Sequence, residues 1–244
     1  MSDRAWYLNC SADDVGDRAI LVGDRGRVGR VAELLEDVRW LNEDRWLTTA
    51  TGVRGGCRVT VSAFGMGAPI AAVVLHELHD IGVRTFLRLG TVMALDAVQL
   101  GDLVIADGAV REESTSASYV PSGYPAVGDF ELGAALRTAA DTAGAAWHAG
   151  LVSSCDGFYT EMLGAHERHA RLRELGVLAL DMETSAILAV GRALGSRAAS
   201  LCAATVDAHT SDRLPAAERE AAEDALVRIG LDALLSVDPV AVQG

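Results

Sequence analysis

Three arginines stand beside glycines or at the ends of apolar runs, where their side chains could bind one anion together. Arg27 lies in Val-Gly-Asp-Arg-Gly-Arg, Arg45 in Asp-Arg-Trp-Leu-Thr-Thr, and Arg88 interrupts Phe-Leu-Arg-Leu-Gly-Thr. A guanidinium is planar, permanently charged and matches phosphate oxygens two at a time. A charged residue at the end of a buried strand is costly unless something pairs with it. The pattern predicts an oxyanion site if the fold brings the three side chains together.

Two glycine-containing turns separate predicted strands from predicted helices. One contains Gly23 and Asp24, and the other is Gly-Met-Gly-Ala-Pro at residues 65–69. Glycines let the backbone approach a ligand closely, and helix N-termini favour anions. Both turns also have a purely structural explanation, with Pro69 in the first helical turn and Asp24 as a helix cap. Alone, neither turn identifies a ligand.

Acidic residues follow two further strands. Asp181-Met182-Glu183 opens a helix, where carboxylates are stabilised by the helix dipole. A carboxylate there could instead bind the vicinal hydroxyls of a sugar, with the methionine packed on its apolar face. Asp207 directly follows the last predicted strand. Open α/β sheets bind ligands at the carboxyl ends of their strands, so Asp207 is either a general acid or a turn residue.

Short β-branched runs alternate with stretches rich in Ala and Leu. The runs predict strands at residues 19–22, 58–64, 85–89, 103–106, 149–153, 177–180 and 199–206. The other stretches predict helices at 27–35, 70–81, 132–143, 161–174, 183–194 and 216–235. Strands that are apolar on both faces and separated by helices indicate a sheet covered on both sides. We expect an α/β protein, a single domain over residues 1–244 with a central mixed β-sheet flanked by helices.

Composition narrows the class of protein. Half of the 244 residues are apolar, which is enough for one well-buried core. The net charge of −13 disfavours a nucleic-acid surface, and the absence of lysine excludes Schiff-base chemistry and a P-loop lysine. No long apolar run predicts a membrane span. Four scattered cysteines without a metal or disulfide spacing predict free thiols and a cytoplasmic location.

Three stretches carry a resemblance to a known family. They are Ile-Gly-Val-Arg-Thr-Phe-Leu-Arg-Leu-Gly-Thr at 81–91, Gly-Asp-Leu-Val-Ile at 101–105 and Tyr-Pro-Ala-Val-Gly-Asp-Phe at 124–130. From about residue 7 to about residue 235 the chain resembles the nucleoside phosphorylases of the purine nucleoside phosphorylase and uridine phosphorylase superfamily, and looks most like bacterial uridine phosphorylases. The resemblance implies phosphate-dependent cleavage of an N-glycosidic bond to give a free base and (deoxy)ribose 1-phosphate.

The resemblance also implies a role for each candidate residue. Phosphate would be bound by Gly23, Arg27, Arg88 and Thr91, with Arg45 from a neighbouring subunit. Ribose would be bound by Met182 and Glu183, together with Tyr7 from the neighbouring subunit. The base would contact Phe158 and Met93. Asp207 would be the acid, and Arg219 would move toward it when the site closes. Phosphate is then a co-substrate, and no metal or other cofactor is needed. The family forms dimers with shared sites, usually three to a hexamer.

Several positions depart from the family's pattern. The Gln and Arg with which uridine phosphorylases bind the uracil edge are absent from Thr-Glu-Met-Leu-Gly at 160–164. Met93 stands where the family has glycine, and Tyr7 where it has histidine. The order Asp207-Ala208 differs from the Ser-Asp of many purine-cleaving members. We therefore expect a nucleoside that differs from uridine at the base, at the 5′ position or at both.

Two other functions fit parts of the pattern. A hydrolytic nucleosidase of the 5′-methylthioadenosine type would share the fold, although water needs no arginine cradle. A non-catalytic nucleoside-binding member of the family would explain the altered base pocket. Retention of both the phosphate arginines and Glu183 favours the phosphorylase.

Overall fold

The structure is a computed structural model and describes residues 4–158 and 160–240. Its strands are β1 (Arg18–Val22), β2 (Glu36–Asn42), β3 (Thr49–Arg54), β4 (Cys57–Ala63), β5 (Thr85–Ala94), β6 (Leu103–Glu112), β7 (Ala126–Val127), β8 (Trp147–Cys155), β9 (Val177–Asp181) and β10 (Arg197–Asp207). Its α-helices are α1 (Arg25–Ala32), α2 (Ala68–Asp80), α3 (Phe130–Ala143), α4 (Ala165–Glu174), α5 (Thr184–Ala193) and α6 (Ala216–Ser236).

The strands form one mixed sheet, which confirms the predicted α/β class. Strand β5 pairs in parallel with β1 along its first half and with β10 along its length, and antiparallel with β9 at its carboxyl end. Strand β10 pairs with β6, and β8 and β9 lead from β6 back to β5, so five strands close into a ring. Strands β4, β3 and β2 extend the sheet beyond β1.

Helices cover both faces of this sheet because its strands are apolar on both sides. In β1, Ile20 and Val22 pack toward α1 and α6, while Ala19 and Leu21 pack toward α2 and α5. The alternation follows from the two-residue period of a strand. Within residues 4–158 and 160–240, no helix combines the length and hydropathy that a membrane span requires.

The structure differs from the sequence prediction mainly at the rim of the sheet. The sequence predicts neither β2 nor β3: β2 is exposed at most positions and lacks an apolar run, and β3 is mostly buried but its apolar residues are separated by threonines and a glycine. Strands β5 and β6 run several residues beyond their predicted ends, whereas β10 matches its predicted range to within two residues. Arg88 therefore lies inside β5 rather than at its end.

The close packing of α6 on β5 can be tested by measuring the stability of two glycine variants. A Cβ on Gly230 would lie 2.6 Å from Cδ2 of Leu89, whereas nothing lies within 4 Å of a Cβ on Gly29 in α1. Alanine gains about 1 kcal/mol of helix propensity over glycine at either position. Overpacking a core costs about 1–3 kcal/mol, so Gly230→Ala should lower the free energy of unfolding in urea titrations while Gly29→Ala does not. Equal stabilisation by both substitutions would contradict the packing.

Candidate functional site

The carboxyl ends of the parallel strands β1, β4, β5 and β10 lie at one edge of the sheet, where a cavity of about 570 Å³ opens. Ligands of open α/β sheets bind at such an edge. The cavity is lined by Gly23, Asp24, Arg25, Arg27, Trp46, Gly65, Met66, Arg88, Gly90, Thr91, Asp181, Met182 and Glu183. Six residues predicted from sequence to bind phosphate or ribose thus share one cavity, namely Gly23, Arg27, Arg88, Thr91, Met182 and Glu183.

Arg88 is a buried cation in the wall of this cavity. Its Nη2 donates to Oε2 of Glu183 at 2.6 Å and lies 3.1 Å from Oδ2 of Asp181. Burial lowers the pKa of Arg88, but the neighbouring Cys202, Asp181 and Glu183 outweigh burial and raise it overall. The guanidinium is therefore charged and compensated, as an ion buried in a sheet must be.

The guanidinium of Arg88 occupies space that is open because Gly90 has no side chain. A Cβ at this position would lie 1.7 Å from Nη1 of Arg88. The same Nη1 donates to Sγ of Cys202 on β10 at 2.7 Å. Burial raises the pKa of the Cys202 thiol, against the opposing effect of Arg88. Sequence reasoning missed Gly90 as a site residue, although its spacing of two from Arg88 puts both on one face of the strand.

Glu183 is held from two sides at the start of α5. Its Oε1 accepts from the backbone N–H of Gly67 at 2.6 Å, and its Oε2 accepts from Arg88. The glycine turn after β4 therefore contributes a backbone donor to the site. Glu183 is buried with acceptor atoms directed at donors, which is the chemistry needed to accept hydrogen bonds from sugar hydroxyls.

Asp181, the last residue of β9, links β8 to the start of α5 through its side-chain hydrogen bonds. It accepts from the hydroxyl of Ser154 at 2.5 Å and from the backbone N–H of Thr184 at 3.1 Å. It also faces Arg88. The sequence analysis gave Asp181 no site role of its own; its position two residues before Glu183, directly after a buried strand, was the available signal for one.

Arg27 lies in the first turns of α1, directly after the turn that contains Gly23. Asp24 caps this helix by accepting from the N–H of Gly26 at 2.8 Å. Nη1 of Arg27 donates to the carbonyl of Leu89 at 3.1 Å, which ties the arginine to β5. Its side chain is only 4% exposed, so Arg27 is a second buried cation beside Arg88.

Arg45 and Tyr7 lie outside this cavity. They line an adjoining cavity of about 340 Å³, with the Arg45 guanidinium 5.4 Å from the centre of the Tyr7 ring. Arg45 and Trp46 both have positive φ, and Trp46 lines both cavities. Within one chain the fold brings Arg27 and Arg88 together and leaves Arg45 apart.

Asp207 is held in a turn at the end of β10. Its Oδ1 accepts from the backbone N–H groups of His209 and Thr210, both at 2.8 Å. The pKa of Asp207 is lowered, chiefly by the N–H of Thr210. This environment favours the ionised carboxylate, so the role of general acid stays a prediction.

The remaining candidates line neither of the two cavities. Arg219 is exposed on α6 and lines a separate groove, while Phe158 is 58% exposed. Met93 is 1% exposed and packs with Leu95 and Leu180. The base-binding roles of Phe158 and Met93 therefore rest on the family resemblance alone. Among residues 4–158 and 160–240, no three His, Cys, Asp or Glu side chains are grouped to hold a metal ion.

Comparison with known proteins identifies relatives of this chain. Residues 17–236 match the sequence model of the phosphorylase superfamily. The chain is 36% identical over 242 residues to a guanosine phosphorylase of Halorubrum lacusprofundi, covering 95% of this chain and 98% of that protein. It is 34% identical to a uridine phosphorylase of Thermococcus kodakarensis, covering 89% and 82%. A crystal structure of uridine phosphorylase from Vibrio fischeri superposes with a TM-score of 0.89 at 30% identity, covering 96% and 98%.

A substitution at Gly90 tests whether Arg88 binds phosphate without removing the charge of the arginine. Replacing Arg88 itself would leave buried carboxylates unpaired and would disturb the fold. Gly90→Ala should instead displace the guanidinium and weaken phosphate binding at least about tenfold, or about 1.4 kcal/mol, by isothermal titration calorimetry. Gly123→Ala, at an exposed position with nothing within 4 Å of the added Cβ, is the control. Unchanged phosphate binding in Gly90→Ala would refute the prediction that Arg88 binds phosphate.

Proposed function

The chain belongs to the phosphorylase superfamily, and we propose that it is a nucleoside phosphorylase, a pentosyltransferase that cleaves a nucleoside with phosphate. The observation that carries this proposal is the contact of Arg88 with Glu183 in one cavity. An arginine suited to phosphate and a carboxylate suited to sugar hydroxyls are the two halves of such a reaction centre. A hydrolase uses water instead of phosphate and so has no need for the arginine.

The proposed reaction exchanges one bond at C1′ of the sugar. The N-glycosidic bond breaks and its electron pair leaves with the base, so the sugar becomes an oxocarbenium-like cation. A phosphate oxygen stabilises this cation and forms the new bond to C1′. Preorganised charges stabilise the transition state, and holding both reactants together makes the attack effectively unimolecular.

The described contacts support specific roles in this reaction. Arg27 and Arg88 bind and orient phosphate, with the backbone at Gly23 and the hydroxyl of Thr91 beside them. Glu183 accepts hydrogen bonds from the ribose hydroxyls, and Met182 packs on the sugar. The protein contacts of Arg88 and Glu183 are then exchanged for ligand contacts when the site fills.

The proposal includes a site shared between subunits. Arg45 and Tyr7 lie near each other and away from Arg88, and Tyr7 is 39% exposed. They complete the neighbour's site in a homo-oligomer built of dimers, up to a hexamer. We place the protein in the cytoplasm as one domain over residues 1–244, with inorganic phosphate as co-substrate and no other cofactor.

From the family resemblance we propose that Phe158 and Met93 contact the base. Asp207 acts as the acid, and Arg219 moves toward the base when the site closes. The relatives include enzymes named for guanosine and for uridine. The chain's departures at 160–164 leave purine and uridine-like bases as the two classes to compare.

A panel of nucleosides with and without phosphate tests the activity. Adenosine, inosine, guanosine, uridine, thymidine and 5′-modified adenosines are incubated with the protein, and free base and sugar 1-phosphate are measured by chromatography. We expect release of one base class that requires phosphate and yields sugar 1-phosphate in equal amount. Release that is independent of phosphate would identify a nucleosidase, and tight binding without release a non-catalytic member.

Asp207→Asn tests the acid. The amide keeps an oxygen for the N–H groups of the turn but cannot protonate the leaving base. Loss of a general acid slows catalysis about 100-fold or more, and substrates with activated leaving groups should be slowed less. Asp212→Asn, in the same turn with the same change of charge, is the control. If Asp207→Asn slows both kinds of substrate equally, Asp207 is not the acid.

A further inference from the structure

A groove of about 730 Å³ lies on the other side of Arg27 from the cavity. It runs between α1, the end of β10 and the first turns of α6. The groove and the cavity share Asp24, Arg27 and Thr91, so Arg27 forms part of the wall between them. Any anion in the groove acts on the same guanidinium as an anion in the cavity.

Glu223 of α6 supplies such an anion. Its Oε1 lies 3.3 Å from Nη2 of Arg27, and its Oε2 lies 3.8 Å from Nε of Arg30. The Glu223 side chain is 13% exposed and that of Arg27 only 4%, so water screens this pair poorly. Arg30 has two further partners on the exposed side of the same helix, Asp224 at 2.6 Å and Glu220 at 3.5 Å.

The carboxylate has opposite effects on the empty and the filled site. In the empty site it compensates a buried guanidinium that would otherwise be costly to desolvate. When a phosphate approaches from the cavity, the same carboxylate has already neutralised much of that charge, and it repels the incoming dianion. Arg30 and Arg219 also border the groove, but Arg219 is exposed and Arg30 is paired with Glu220 and Asp224, so neither cancels this repulsion.

We infer that Glu223 is an internal counter-ion of Arg27 that competes with phosphate and sets the protein's phosphate affinity. This inference rests on the proposed function. It concerns a residue that contributes no atom to the cavity and that acts through Arg27. Its effect is therefore expected on phosphate affinity rather than on nucleoside affinity.

Glu223→Gln tests the competition because glutamine keeps the shape and an acceptor oxygen but removes the charge. Phosphate binding is measured by calorimetry, and KM is measured separately for phosphate and for nucleoside. We expect Glu223→Gln to lower the Kd and KM for phosphate at least about threefold, with the nucleoside KM within about twofold of wild type. Asp224→Asn changes the net charge equally and contacts Arg30, so it should leave phosphate affinity near the wild-type value.

Three results would overturn the inference. Unchanged or weaker phosphate binding in Glu223→Gln would show that the carboxylate positions Arg27 rather than competing for it. Equal tightening in Asp224→Asn would show a general charge effect. A wild-type protein that neither binds nor consumes phosphate would overturn the proposed function as well. If Glu223→Gln does not fold, Glu223→Asp, which withdraws the carboxylate by one methylene, should shift phosphate affinity in the same direction by less.

Discussion

The charge of Arg88 inside the sheet is the constraint on which the site depends. A buried guanidinium is tolerated only with carboxylates and acceptors around it, and Asp181, Glu183 and Cys202 provide them. These partners come from the end of β9, the start of α5 and the middle of β10. The ring of strands brings those three segments to β5, so the closure of the sheet and the compensation of one charge are the same structural requirement.

Both buried arginines of the cavity already have protein carboxylates. Arg88 has Asp181 and Glu183, and Arg27 has Glu223. Filling the site is therefore an exchange of ion pairs rather than the neutralisation of bare cations. Such an exchange lowers the net gain from each contact with a bound anion, but it keeps the empty protein folded with its charges compensated.

The sequence predicted the central strands better than the edges of the fold. Of the three arginines that it singled out, Arg27 and Arg88 lie in one cavity, whereas Arg45 lines the adjoining cavity. Apolar runs located β1 and β4. The family resemblance assigned Gly23, Arg27 and Glu183 to one site, and the fold brings all three to one cavity. Strand β2 has no apolar pattern, since it is mostly exposed, and only pairing with β3 defines it. The contact of Arg27 with Glu223 depends on how α6 docks against α1, which residue periodicity does not encode.

Strand β5 pairs with three other strands, and Arg88, Gly90 and Thr91 all lie on it. Segments paired on both edges open only when a large part of a protein unfolds. These residues are therefore ordered before any ligand arrives, and binding loses little conformational entropy at them. Gly23, Gly65 and Met66 line the same cavity from turns outside the strands, so any adaptation to a ligand falls to these turns around a rigid strand.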